Sequence, residues 1–176
     1  LRESPRENER EKNMRHTLVA LMEDKPGVLS RVASLFRRRN YNIESLSVGH
    51  SETPGISRMT IVVHGDDAIV QQVVRQLCKL VNVIDVEDVS HQASVVRELA
   101  LIKVHAPGGS RTEIMQLANV FRGRVVDVGK NSLMVEITGP EERVNSLIGL
   151  LEPFGVQEIA RTGRVAMVRR GNGYAV

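Results

Sequence analysis

The spacing of hydrophobic and polar positions along this chain changes repeatedly, from continuous apolar runs to helical stripes and back. The run from Leu18 to Met22 is nearly unbroken in apolar residues, which is typical of a central strand, and we place strand β1 at 15–23. After a turn at 24–27, apolar residues follow the i, i+3, i+4, i+7 spacing of one buried helix face. This stripe predicts helix α1 over about 28–39, and its members are Leu29, Val32, Ala33 and Phe36.

The rest of the first half predicts a hairpin, a second helix and a closing strand. Strands at about 42–49 and 56–64 flank a turn at 53–55. Asp66 or Asp67 can cap the second helix. Its stripe consists of Val70, Val73, Val74 and Leu77. Because 83–89 alternates as a strand, the order is β-α-β-β-α-β.

The same order recurs in the second half. A strand at 99–104 precedes a capping box formed by Ser110 and Glu113, and Gly123 ends the helix that follows. The stripe of this helix is Ile114, Leu117, Ala118 and Phe121. A hairpin of 124–128 and 132–138 turns at Gly129-Lys130-Asn131. Pro140 then takes the first helical position of a helix with the stripe Val144, Leu147, Ile148 and Leu151, before strands at 156–161 and 165–168.

Two such repeats predict an α+β fold of two ferredoxin-like units, each with helices on one antiparallel sheet. The first and third strands of each unit are the most apolar, so we expect them at the centre of the sheets. Sheet edges left open favour pairing with another domain or copy, and we expect a dimer.

The predicted division of the chain is a tail at 1–13, a first unit at 14–91, a linker at 92–96, a second unit at 97–170 and a tail at 171–176. The first tail mixes four basic with four acidic residues, which predicts a disordered or vector-derived segment and a natural start at Met14.

Composition narrows the function classes. With 176 residues and 41% hydrophobic content the chain can bury a core. Its single cysteine excludes a disulfide framework and a cysteine-based zinc site. No run of 18 apolar residues is present, so we expect no membrane partner and a cytoplasmic or plastid-stromal location. Five scattered histidines show no ligand-like spacing, which predicts no metal site, and no clustered acid, base or nucleophile predicts a catalytic residue.

The sequence also argues against nucleic-acid binding. RNA-recognition domains share this strand order, and the chain is basic with a net charge of +3. Such domains stack bases on aromatic residues of the sheet. Here Phe36 and Phe121 fall on helix stripes, so only Phe154, Tyr41 and Tyr174 remain. The stacking platform is missing, and we predict no nucleic-acid partner.

The Pro26-Gly27 pair before α1 has two interpretations. The first N–H groups of the helix, from Val28 to Ser30, can face a ligand carboxylate with the positive end of the helix dipole behind them. Alternatively, the pair only makes a tight turn that Asp24 caps. Spacing alone favours the plain turn.

Longer segments carry a family resemblance. "RHTLVALMEDKPGVLSRVASLFRRRNYNIESLSVG", "SRMTIVV" and "FRGRVVDV" closely resemble the small, regulatory subunit of acetolactate synthase (acetohydroxyacid synthase). The resemblance covers essentially 14–167, and its most specific parts are 26–32 and 40–46. The first unit looks like an ACT domain, an amino-acid-sensing module. Members of this family are noncatalytic, so the resemblance implies a chain that activates the thiamine-diphosphate-dependent catalytic subunit and confers feedback inhibition by valine, a branched-chain end product.

The resemblance also implies where valine binds. In such families two ACT domains pair side by side, and the effector lies between the loop of one chain and the start of β2 of the other. Mapped onto this sequence, the site residues are Asp24, Lys25, Pro26, Gly27, Val28, Leu29, Asn42 and Ile43. The family usually carries Asn where Asp24 stands; an Asp holds the ammonium of an amino acid more strongly but repels its carboxylate. No cofactor is expected in this chain, whereas thiamine diphosphate, Mg²⁺ and FAD are expected on the catalytic subunit.

The same loop also fits an alternative, a stand-alone ACT-type amino-acid sensor that acts on another partner. Other features have plain explanations: Arg37 to Arg39 as a solvated helix end, Gly108 to Ser110 as a loop with a cap, and Cys78 as a semi-buried filler. The second unit lacks a Pro-Gly turn directly before its helix. It either binds nothing or contacts the catalytic subunit.

Overall fold

The computed structural model of the chain describes residues 14–169, and the tails predicted at 1–13 and 171–176 lie outside them. Two units are distinguished: residues up to Val95 together with the segment from Ala166, and Val96–Val165. The first contains β1 (Arg15–Glu23), α1 (Val28–Arg38), β2 (Ile43–His50), β3 (Ile56–His64), α2 (Asp67–Leu77) and β4 (Val83–Asp88). The later elements are β5 (Ser94–His105), α3 (Arg111–Val120), β6 (Arg124–Val128), β7 (Ser132–Gly139), α4 (Glu141–Leu151), a short 3-10 helix (Glu152–Phe154), β8 (Val156–Arg161) and β9 (Val165–Val168).

Both sheets have the predicted topology. The first has strand order β2-β3-β1-β4 and the second β6-β7-β5-β8, with β9 also paired to β5. The first and third strands of each unit are therefore central, and β1 is antiparallel to both β3 and β4. The α+β fold of two β-α-β-β-α-β units is confirmed. None of the helices within 14–169 has the length and apolar character needed to cross a membrane.

The core of the first unit lies between one face of its sheet and the two helices. From α1 it contains Val28, Val32, Leu35 and Phe36. The predicted stripe was wrong at Leu29, which is 46% exposed, and at Ala33, which is also exposed. Two overlapping stripes that share Val32 and Phe36 run along this helix, and the one that includes Leu35 faces the sheet. The helix therefore packs with a different face toward the sheet than the predicted stripe implies, and Leu29 lies at the surface.

The second unit has its own core, but local details differ from the sequence-based expectations. Strand β5 begins at Ser94 rather than Leu99. The polar residues Arg97 and Glu98 lie within the strand, and the apolar pattern used for the prediction does not include them. Glu98 is buried and paired with Arg161.

The predicted caps of the two helices in this unit were wrong. The hydroxyl of Ser110 donates to the Pro107 carbonyl at 3.2 Å instead of capping α3. Pro140 is the N-cap of α4, one residue before the first helical position.

Helix α3 has Val120 as its last residue and Phe121 as its C-cap, and the left-handed residue that stops it is Arg122 rather than Gly123. Arg122 adopts φ 57°, and the Gly123 N–H donates to the Ala118 carbonyl at 2.8 Å. A Cβ on Gly123 would lie 3.0 Å from the Glu136 carbonyl oxygen, so this glycine serves a close approach of two backbones. Cys78, predicted to be semi-buried, is exposed at the C-cap of α2.

Candidate functional site

The turn between β1 and α1 depends on the backbone freedom of Gly27. Gly27 is the N-cap residue of α1 and adopts φ 86° and ψ −8°, in the left-handed region that favours glycine. A Cβ built on it would meet no atom within 4 Å. The glycine is therefore required by its backbone angle and not by crowding, and the space beside the turn is open.

The amide groups behind this turn divide into used and free donors. The Val28 N–H points back to the Lys25 carbonyl at 3.3 Å, and the Arg31 N–H makes the first helical bond, to the Gly27 carbonyl at 3.0 Å. Within the described residues no acceptor faces the N–H of Leu29 or Ser30, and no side chain caps the helix. Asp24 is thus not the cap that the plain-turn interpretation requires. Two exposed donors at the positive end of a helix can bind a carboxylate.

Charged side chains around the loop are held in pairs. The Asp24 N–H donates to the Gly55 carbonyl at 2.8 Å, and the Asp24 carboxylate lies 3.3 Å from Nδ1 of His50. Lys25 Nζ lies 2.9 Å from Glu23 Oε2. Hydrogen bonds from Lys25 and then Asn82 to the Glu23 carboxylate lower its pKa below the ordinary value. Asp24, about half exposed, is the carboxylate nearest to Gly27 in sequence and can accept an ammonium group.

The apolar members of the predicted site behave differently from one another. Val28 is 4% exposed and belongs to the core. Ile43 is partly buried and packs against the same core. Leu29 is exposed at the start of α1. Leu29 is therefore the residue of this loop that can contact an apolar group of a ligand.

A single chain does not bring the two halves of the predicted site together. Glu23, directly before the loop, pairs with Ile56 on β3. Ile43, at the start of β2, pairs with Val63 near the other end of β3. Asn42 and Ile43 therefore lie at the opposite end of the sheet from the loop. Strand β2 is an edge strand of this sheet, which leaves one side of it available for pairing.

A group of polar side chains elsewhere in the first unit was not predicted from the sequence. His16 on β1, Asp67 in the first turn of α2 and His91 after β4 lie close together, with ligand-type atoms within 4.8 Å of one another. The residues are far apart along the chain, so no spacing motif could have revealed them. The signal in the sequence was the position of His16 two residues before Leu18, which places both on the same face of β1.

Asp88 fixes the orientation of His16. Its Oδ2 lies 2.9 Å from His16 Nδ1, while Ser90 donates to its other oxygen from both the hydroxyl and the backbone N–H. Burial acts to raise the pKa of Asp88, but the hydrogen bonds from Ser90 and His16 outweigh it and hold that pKa below the ordinary value. The carboxylate is therefore a stable acceptor for the histidine.

The remaining candidates gain no chemical role. Arg37 and Arg38 lie exposed in the last turn of α1, where cations stabilise a helix end. A hollow of about 420 Å³ in the second unit is lined by the end of α3 and the first turns of α4, and none of its lining residues is a predicted effector residue.

Comparison with known proteins agrees with the sequence resemblance. Residues 97–170 match the family described as "Small subunit of acetolactate synthase", and residues 18–85 match the "AHAS small subunit-like ACT domain". A probable acetolactate synthase small subunit from Archaeoglobus fulgidus is 55% identical over 89% of this chain and 98% of its own length. The acetolactate synthase small subunit from Mycobacterium bovis is 52% identical over 91% of this chain and 96% of its own.

A solved structure extends this similarity to three dimensions. The crystal structure of the acetolactate synthase small subunit from Thermotoga maritima is 45% identical, and it aligns with a TM-score of 0.83 over 90% of this chain and 99% of its own. The resemblance seen in the sequence, including the ACT domain, is confirmed.

Proposed function

Because the chain belongs to the family of acetolactate synthase small subunits, we propose that it is a noncatalytic regulatory subunit that activates the catalytic subunit and makes it sensitive to valine. The observation that carries the valine site is the pair of exposed N–H groups at Leu29 and Ser30, behind the left-handed turn at Gly27. The thiamine-diphosphate-dependent chemistry belongs to the catalytic subunit in this proposal.

Each group of valine has a matching partner at the loop. The carboxylate accepts hydrogen bonds from the Leu29 and Ser30 amides. The ammonium group lies at the Asp24 carboxylate, and the isopropyl group contacts the exposed Leu29 side chain. Lys25, Pro26 and Val28 hold the turn: Lys25 pairs with Glu23, Pro26 restricts the backbone and Val28 anchors the helix in the core.

A second copy of the chain completes the site. Asn42 and Ile43 lie at the far end of the sheet from their own loop, so they can line only the site of another copy. Two copies related by a two-fold axis can pair their β2 edges in antiparallel fashion. The start of β2 in one copy then lies beside the His50 end of β2 in the other, and His50 is the residue that contacts Asp24.

Binding at such an interface gives a route to regulation. Valine stabilises the dimer arrangement in which its two half-sites are correctly spaced. A coupling free energy of roughly 1–3 kcal/mol between this arrangement and the catalytic subunit suffices for a useful change in activity.

Reconstitution tests the proposal directly. Purified catalytic subunit is assayed for acetolactate formation alone, with this chain, and with this chain plus increasing valine. We expect the chain to raise the activity and valine to lower it again. Valine binding to the chain without any effect on the catalytic subunit would instead support a stand-alone sensor, and a complete lack of both effects would refute the regulatory assignment.

A further inference from the structure

Three side chains from separate elements of the first unit converge at the start of β1. Nε2 of His16 lies 3.6 Å from Oδ1 of Asp67. Nε2 of His91 lies 3.7 Å from the same oxygen. The His16 and His91 rings meet edge to face, with centroids 5.9 Å apart. Each residue thus directs one potential metal-binding atom toward a common point.

The buried histidine provides an independent indication of a ligand. His16 is 1% exposed, and its Nε2 has no hydrogen-bond partner among the described residues. The 3.6 Å separation from Asp67 is too long for a hydrogen bond. Because Nδ1 faces the Asp88 carboxylate, the neutral ring carries its proton on Nδ1 and leaves a lone pair on Nε2. A buried acceptor directed at an acidic and an imidazole group is unsatisfied until something binds there.

We propose that His16, Asp67 and His91 form a binding site for a divalent transition-metal cation of the Zn²⁺ type. Two ligand atoms at ordinary zinc distances, in tetrahedral arrangement, are about 3.4 Å apart, close to the 3.6 and 3.7 Å that separate Asp67 Oδ1 from the two histidine nitrogens. Two imidazoles and one carboxylate suit Zn²⁺ better than Mg²⁺ or Ca²⁺, which prefer oxygen ligands. Asp67 and His91 are both exposed, so the cation can enter from solvent and keep a water ligand.

Asp88 completes the arrangement as a positioning residue. A histidine that binds a metal almost always donates its other ring N–H to a carboxylate or carbonyl group, which fixes the tautomer and the ring orientation. His16 and Asp88 have this relationship at 2.9 Å, and Ser90 holds Asp88 in turn. The cation would connect His16 of β1 with Asp67 in the first turn of α2 and with His91 after β4. The site lies at the start of β1, whereas the loop at 24–29 follows the other end of this strand.

A metal titration tests the proposal. The full chain is stripped with a chelator and titrated with ZnCl₂ by calorimetry, and with CoCl₂ by visible absorption, because tetrahedral Co²⁺ absorbs strongly there. We expect saturable binding of one cation per chain and a rise in the thermal unfolding temperature with Zn²⁺.

Two exposed ligands allow substitutions that leave the core intact. We expect His91→Ala and Asp67→Asn each to weaken Zn²⁺ binding at least tenfold and to abolish the thermal shift. His105→Ala and Asp85→Asn remove an exposed histidine and an exposed aspartate outside the cluster and should bind as the wild type does. Asp88→Asn should weaken binding about 10- to 100-fold.

Absence of saturable binding in the wild type would overturn the proposal. Equal binding by the wild type, His91→Ala and Asp67→Asn would overturn it as well, since the cation would then lie elsewhere. Neither result bears on valine, because the proposed effector residues are all outside this cluster.

Discussion

Gly27 adopts a backbone angle, φ 86°, that most other residues reach only at a cost of about 1–2 kcal/mol. Gly27→Asp adds a carboxylate next to the Leu29 and Ser30 amides, where the valine carboxylate is proposed to lie. Asp tolerates the left-handed region better than most residues, so the fold should persist. We expect valine sensitivity of the reconstituted enzyme to be abolished, as measured by valine titration of activity and by calorimetry.

Gly27→Asn is the matched control for this substitution, since Asn has nearly the same shape without the charge. It should retain measurably more valine affinity than Gly27→Asp. Gly155→Asp introduces the same side chain at another left-handed glycine, in the second unit, and should leave valine binding unchanged. An unaltered valine affinity in Gly27→Asp would contradict the placement of the carboxylate.

Leu29 offers a second test at the level of one side chain. Because Leu29 is 46% exposed, Leu29→Ala should change the free energy of unfolding by less than about 0.5 kcal/mol. Loss of its contact with the isopropyl group should cost about 1 kcal/mol of binding free energy, or roughly fivefold in valine affinity. Leu150→Ala, at a leucine that is also 46% exposed, serves as the control in calorimetric titrations. Equal affinities for the two variants would argue against the contact.

Helix ends form the next level of organisation, and two of them share one geometry. After α1, Asn40 adopts φ 56°, and Tyr41 N–H donates to the Phe36 carbonyl at 3.0 Å. After α3, Arg122 and Gly123 repeat this pattern. Both ends are Schellman motifs, which satisfy carbonyl groups of the last turn. Glycine is the usual residue at the left-handed position of such a motif, but in this chain Asn40 and Arg122 occupy it.

Arg122 should therefore carry backbone strain that Asn40 largely avoids. Arg122→Gly keeps the left-handed conformation but removes its cost of about 1–2 kcal/mol; it also adds unfolded-state entropy worth about 0.5–1 kcal/mol, so a net stabilisation of about 0.5–1 kcal/mol is expected. Urea-induced unfolding measures it. Arg122→Ala keeps the strained conformation and should show no such gain. A gain of equal size in both variants would mean that the arginine side chain, not its backbone, is unfavourable.

The sequence predicted the elements well where their signals were unambiguous. The buried run of β1 and the turn residues around β3 gave bounds that match the structure, 15–23 and 56–64. It failed where two patterns overlap or a polar residue is buried. Helix α1 carries two possible stripes, and only packing against the sheet selects the one with Leu35. Strand β5 begins earlier than predicted because the charge of Glu98 is compensated by Arg161, a partner distant in sequence.

Sites depend even more strongly on contacts between distant segments. The loop at 24–29 was predictable because all its residues are consecutive and Gly27 marks the turn. The Val28 N–H has an acceptor, whereas those of Leu29 and Ser30 have none among residues 14–169, and this difference depends on the turn geometry, which the sequence does not reveal. The cluster of His16, Asp67 and His91 forms only when β1, α2 and the segment after β4 are assembled.

On the scale of the whole molecule, the proposed effector site is divided between copies. Within one chain the loop follows Glu23 at one end of the sheet, and Asn42 precedes Ile43 at the other. Each site in a dimer would then use Gly27 from one copy and Asn42 from the other. Substitutions at these two positions should consequently complement each other when they are carried by different chains.

Asn42→Ala should weaken valine binding by removing a polar contact, while the chain still folds because Asn42 is exposed. We expect homodimers of Asn42→Ala and of Gly27→Asp each to respond poorly to valine. A mixed dimer combines the unaltered loop of the first variant with the unaltered Asn42 of the second, so one of its two sites is intact. Co-expression with two affinity tags isolates this mixed dimer, and calorimetry should show about half the wild-type number of sites at wild-type affinity.

The control is a mixed dimer of the wild type with a chain that carries both substitutions. It should have no intact site, because every site then contains one altered half. Absence of recovery in the first mixture, or full recovery in the second, would mean that loop and β2 do not share a site between copies.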